Sequence, residues 1–110
     1  MTIKKQDTPT QDDILQAKIT LETAQIAWRD LQRFFAAGTA IAVDPSLDLV
    51  EVATEMSRDN KAQFEGWYTR KLVGPVSDAQ AEHWYQGDET VWAVVVAPWV
   101  LVQAPEPEPR

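Results

Sequence analysis

The densest run of side chains able to do chemistry is Asp44, Asp48, Glu51, Glu55 and Asp59. Paired carboxylates can share a proton, and a cluster of them can cage a divalent cation. Both uses need the oxygens within a few ångströms of one another. If this stretch is a strand, Glu51 and Glu55 share a face but stand roughly 13 Å apart. If it is a helix, they are neighbours on a solvent-facing stripe. Asp44 and Asp48 bracket a turn, where their plainest role is local hydrogen bonding. The run also lacks the glycine and the alternating acids of a calcium-binding loop.

Other chemistries find less. His83 is the lone histidine, sits beside Trp84, and has no acid at a spacing that makes a dyad or a metal pair. Gly38, Gly66, Gly74 and Gly87 are scattered, so no phosphate-cradling loop forms. Ser46, Ser57 and Ser77 lie in no nucleophile elbow. The absence of cysteine removes disulfides, thiol catalysis and thiolate-bound zinc. No catalytic residue, metal ligand or cofactor is therefore assigned. The five tryptophans are a high count for 110 residues. Trp28 and Trp84 fit inward stripes and fill a core. Trp92 and Trp99 flank an apolar run on opposite parities, so one of them is free to reach a rim and anchor a partner or a second copy of the chain. A pocket lined by Trp28, Trp92 and Trp99, with Asp44, Asp48 or Arg29 as polar contact, is the competing use.

The elements that must position these residues centre on Trp92-Ala93-Val94-Val95-Val96-Ala97-Pro98-Trp99-Val100-Leu101-Val102. This run is apolar at both parities and reads as one strand over about 91–102, buried on both faces. Pro98 has no N–H for a ladder, so a bulge, bend or free edge is expected there. Upstream, Ile14, Ala17, Leu21, Ala24, Trp28, Leu31 and Phe35 follow at spacings of three and four. They predict a long core-facing helix over about 12–37, stopped by Gly38. Residues 40–43 read as a short strand, followed by a turn at Asp44-Pro45-Ser46-Leu47-Asp48. Residues 48–56 fit a strand or a helix capped by Ser46; three β-branched residues favour the strand and a hairpin with 40–43. Shorter helices are expected at about 60–72, with Phe64, Trp67, Tyr68 and Leu72 inward, and at 77–86, opened by a Ser77–Gln80 capping box.

Composition bounds the rest. The chain is 45% hydrophobic and 25% charged, as in ordinary globular proteins, and its length suits one domain. Seventeen acids against ten bases give a net charge of −7. That charge, with no basic stripe, opposes binding to nucleic acid or to anionic membranes. The N-terminus has no apolar core of a signal peptide, and the apolar run is too short to span a bilayer, so a cytoplasmic location is expected. A disordered lead (1–10) and a disordered Pro/Glu tail (104–110) are expected to flank the folded part, 11–103.

Four stretches carry a likeness to a known family: Glu22-Thr23-Ala24 to Trp28, Leu31 to Ala36, Val43 to Ala53, and Trp92 to Gln103. Together they resemble the bacterial domain-of-unknown-function family 2288 over about residues 16–103. The resemblance implies a small bacterial cytoplasmic protein made of this one domain and carries over no activity or site residue. The expected fold is α+β: a long N-terminal helix on a small, mostly antiparallel sheet, with two shorter helices before the C-terminal strand. Helices on one face would leave the other face of the apolar strand to be covered by a second subunit. The expected function is a non-enzymatic interaction module that dimerises or meets a protein partner. The alternative is a binder of, or enzyme acting on, a small ligand in the Trp-lined pocket.

Overall fold

The computed structural model describes residues 10–105. The segments expected to be disordered, 1–10 and 104–110, fall outside it except for Thr10, Ala104 and Pro105. Thr10 caps the first helix: its Oγ1 accepts from the Asp13 N–H at 3.0 Å, and Asp13 Oδ2 accepts from the Thr10 N–H at 3.3 Å. No helix among the described residues is long and apolar enough to cross a membrane.

The expected long helix does not form. Helix α1 (Gln11–Glu22) ends at Thr23, and strand β1 (Ala24–Ala27), a 3-10 turn (Trp28–Leu31) and helix α2 (Gln32–Ala36) follow. The reason is tertiary. A continued helix would leave the outer edge of the next-to-last strand bare, and β1 fills it. The inward face of α1 is set by Leu15 and Ile19, four apart, whereas Ile14 and Leu21 of the expected stripe are exposed, Leu21 by 86%.

Strand β2 (Ala40–Val43) is where it was expected. The stretch after it is not a strand. Residues Leu49–Ser57 form helix α3, capped by Asp48 rather than Ser46: Asp48 Oδ1 accepts from the Val50 N–H at 2.9 Å. Leu49, Val52 and Ala53 recur on one helical face and are buried in the core. Full burial of a leucine or valine side chain is worth roughly 1.5–3 kcal/mol, well above the few tenths by which β-branched residues disfavour a helix. Helix α4 (Lys61–Thr69) and helix α5 (Asp78–Gln86) match expectation, and the Ser77–Gln80 capping box is present. Tyr68 of α4 points outward, 57% exposed, while Trp67 is buried. A short strand β3 (Val73–Pro75) lies between them.

The apolar run is two strands, not one. Strands β4 (Thr90–Val96) and β5 (Trp99–Gln103) form a hairpin that turns at Ala97–Pro98, a turn position where no ladder N–H is needed. The sheet order is β1-β4-β5-β2-β3. β2 and β5 run parallel, and the other neighbours antiparallel, so the sheet is mixed rather than the mostly antiparallel sheet expected.

β5 sits at the centre and is buried on both sides. Leu101 joins Ile41, Val43, Val94 and the apolar faces of α1, α3 and α4 in one core. Val100 and Val102 join Trp28, Leu31, Val91 and Trp84 in a second, closed by the 3-10 turn, α2 and α5. The chain's own helices therefore cover both faces of the central strand. The expectation that helices lie on one face only and leave the other needing cover does not hold.

Four helices end alike. In α2, α3, α4 and α5 a residue with positive φ closes the last turn: Gly38 (φ 78°), Asp59 (59°), Lys71 (65°) and Asp88 (53°). After each, the next N–H reaches back to a carbonyl five residues upstream, such as Leu72 N–H to Trp67 O at 2.9 Å. This is the Schellman termination, which ordinarily selects glycine.

Candidate functional site

The six candidate residues do not meet in one pocket. Trp28 is completely buried in the second core, edge-on to Trp84 and Phe35 with ring centroids 5.1 and 5.8 Å away. Arg29 lies across the Tyr85 ring, 4.5 Å from its centroid, and faces Asp88 at 3.6 Å. Asp48 caps α3. Trp99 stands half-buried at the hairpin-turn end of the sheet. Trp92, 39% exposed, lies at the opposite end, beside Gln103, Pro45 and Leu47. Asp44 is at that same end.

Of the acid run, Asp44 and Asp48 serve turn and cap, and Glu55 accepts from the Asn60 side chain at 2.8 Å. Among the described residues no group of three or more His, Asp or Glu is placed to hold a metal ion.

Two surfaces have the shape of sites. The first is at the hairpin-turn end. A hollow of about 420 Å³ is lined by Ile41, Met56, Phe64, Val96 and Trp99, with Lys61 and Glu65 on its rim. A neighbouring hollow of about 660 Å³ adds Leu15, Val95, Lys18 and Glu22. The two share Met56, Val96 and Ala97, so they make one continuous apolar surface.

The second is a crevice of about 530 Å³ at the carboxyl ends of the parallel strands β2 and β5. It passes across the edge strand β3, from Tyr68 and Lys71 at the end of α4 to Gln80 and Trp84 of α5. Ligands of open α/β sheets commonly sit outside strand carboxyl ends. The loop that carries Asp44 here is held from several directions. The Asp44 N–H donates to Leu72 O at 2.8 Å, and its carbonyl accepts from the Leu47 N–H at 3.0 Å. Gln103 Nε2 donates to the carbonyls of Asp44 and Leu47, at 3.0 and 2.8 Å. The Asp44 carboxylate accepts from the Ser46 N–H at 2.9 Å. Ser46, through its side chain first and this backbone N–H second, holds the Asp44 pKa below its ordinary value of 3.8.

Matched as a whole, residues 14–104 fit the family model described as a protein of unknown function, DUF2288. The chain belongs to that family. The resemblance carried by the apolar C-terminal run and the Val43–Ala53 stretch is thereby confirmed. The DUF2288 chain is also similar to a solved protein, PA1075 from Pseudomonas aeruginosa, known from an NMR solution structure. The two are 36% identical over 99% of this chain and 98% of that one, with a TM-score of 0.76. No curated protein matches the chain.

Sequence reasoning missed Lys71 and Tyr68 of the crevice, Gln103 that holds the Asp44 loop, and Met56 and Phe64 of the turn-end surface. Gln103 carried a readable signal, since it is the polar residue that closes an apolar strand. Lys71 carried none, because the turn that aims it is made by backbone bonds that only the folded chain reveals.

Proposed function

We propose that this DUF2288 protein is a non-enzymatic interaction module that pairs with a second copy of itself through the hairpin-turn surface. The observation that carries the reading is the continuous apolar strip from Val96 through Met56 to Phe64 and Trp99. Exposed apolar surface of this kind, ringed by charge, characterises interaction sites.

Charge favours a second copy as the occupant. Two chains of net charge −7 repel each other over most of their surfaces. Around this strip the lining charges nearly cancel: Lys18 and Lys61 stand against Glu22, Asp59 and Glu65. A two-fold contact needs a patch that complements itself, and one rim bearing both signs can do so. Trp99, with Phe64 beside it, is the aromatic anchor such a contact needs.

An NMR dilution series tests the placement. The amides of Val95–Trp99 and Phe64 are expected to shift with protein concentration while those of Asp44 and Lys71 stay still. Concentration-dependent shifts confined to any other surface, or to none, contradict it.

A further inference from the structure

The carboxyl-end crevice has features that the fold alone does not require. Lys71 is the clearest. It occupies the left-handed closing position of α4, with its N–H bonded to Tyr68 O at 2.9 Å and the next N–H to Trp67 O at 2.9 Å. Those are backbone bonds, which any residue can make there. A left-handed conformation costs an ordinary side chain on the order of 1 kcal/mol that glycine avoids. Asp59 and Asp88, at the equivalent positions of α3 and α5, belong to the residue types that tolerate this conformation; lysine does not. The lysine side chain is not needed for these cap bonds, and Lys71 is among the residues lining the crevice.

Asp44 faces the same space. It is one register step from Lys71: Val43 pairs with Val73, and the Asp44 N–H donates to Leu72 O. Among the described residues no ion pair joins the two. The crevice thus presents an anchored negative charge and a strained positive one, neither neutralised by the other. The ring of Tyr68 stands above its floor, where a Cβ added to Gly74 would lie 3.9 Å from Tyr68 Cε1. A simple anion entering would meet Asp44 and the overall negative field, and a simple cation would meet Lys71. A molecule carrying both signs meets neither penalty. The volume, about 530 Å³, is in the ordinary range for small-molecule sites.

We infer that this crevice binds a small zwitterion of the amino-acid type, its ammonium held by Asp44, its carboxylate by Lys71, and its side chain laid against Tyr68. The site is separate from the turn-end surface, so each stands or falls alone.

The test is an NMR titration of the full chain with the common L-amino acids, added singly at millimolar concentration. At least one is expected to give saturable shifts at Asp44, Tyr68, Lys71 and Gln80. Lys71→Gly is expected to weaken that binding by about tenfold or more while raising the thermal midpoint. Lys71→Gln, which keeps the strained backbone and removes the charge, is expected to weaken binding to the same degree with no gain in midpoint. Absence of saturable shifts with every amino acid overturns the inference, as does binding undiminished in both Lys71 variants.

Discussion

Two side chains show how a residue's surroundings set its role. The indole N–H of Trp28 is buried among the rings of Trp84 and Phe35 and has no hydrogen-bond partner among the described residues. An unpaired buried donor costs about 1–3 kcal/mol, and the ring packing must outweigh it. Trp28→Phe, which discards the orphan N–H and keeps an aromatic ring, is expected to destabilise by about 1–2 kcal/mol. Trp28→Ala should cost about 3–5 kcal/mol, and urea unfolding of both variants measures the gap. Asp44 is the opposite case, a carboxylate supplied with donors. Its folded pKa lies below the ordinary 3.8, so the charged form stabilises the fold above that value and this contribution is lost as pH falls below it. Asp44→Asn is therefore expected to be less stable than the parent near neutral pH. The difference should shrink below about pH 3.8, as read from denaturation midpoints at the two pH values.

At the scale of elements, local signals were legible where they acted alone and misleading where tertiary contacts competed. The Ser77–Gln80 box, the Asn60 start of α4 and strand β2 formed as their residues predict. The stretch 48–56 did not, because its valines and threonine imitate a strand while Leu49, Val52 and Ala53 bury a helical face. The long helix failed because spacings of three and four run by chance through α1, β1 and the 3-10 turn, and pairing with β4 decided the matter. Of the candidate site, Asp44 and Trp99 were legible as polar and aromatic rim residues, but their separation to opposite ends of β5 was not. That separation depends on the hairpin at Ala97–Pro98, where sequence shows only one unbroken apolar run. Two variants check the element account by thermal unfolding. Asp48→Ala removes the α3 cap and should cost about 1 kcal/mol. Gly38→Ala meets no atom within 4 Å but must adopt φ 78°, so strain alone should cost about 1–2 kcal/mol.

On the scale of the whole molecule, the sheet is closed on both faces by the chain's own helices, with α1, α3 and α4 on one side and α2, the 3-10 turn and α5 on the other. The proposed pairing therefore has no central strand to complete and uses what lies at one of the sheet's ends. The turn end is apolar with balanced charge, and the carboxyl end is polar with its charges apart. The assignment of pairing to the first end is tested most directly by mass in solution. Light scattering over a tenfold dilution series should give twice the chain mass of 12.4 kDa at high concentration. Phe64→Lys should give the single-chain mass throughout, even though the added lysine lessens the repulsion between two acidic chains. A parent protein that stays at 12.4 kDa at every concentration, or a Phe64→Lys variant that pairs as the parent does, would contradict the account.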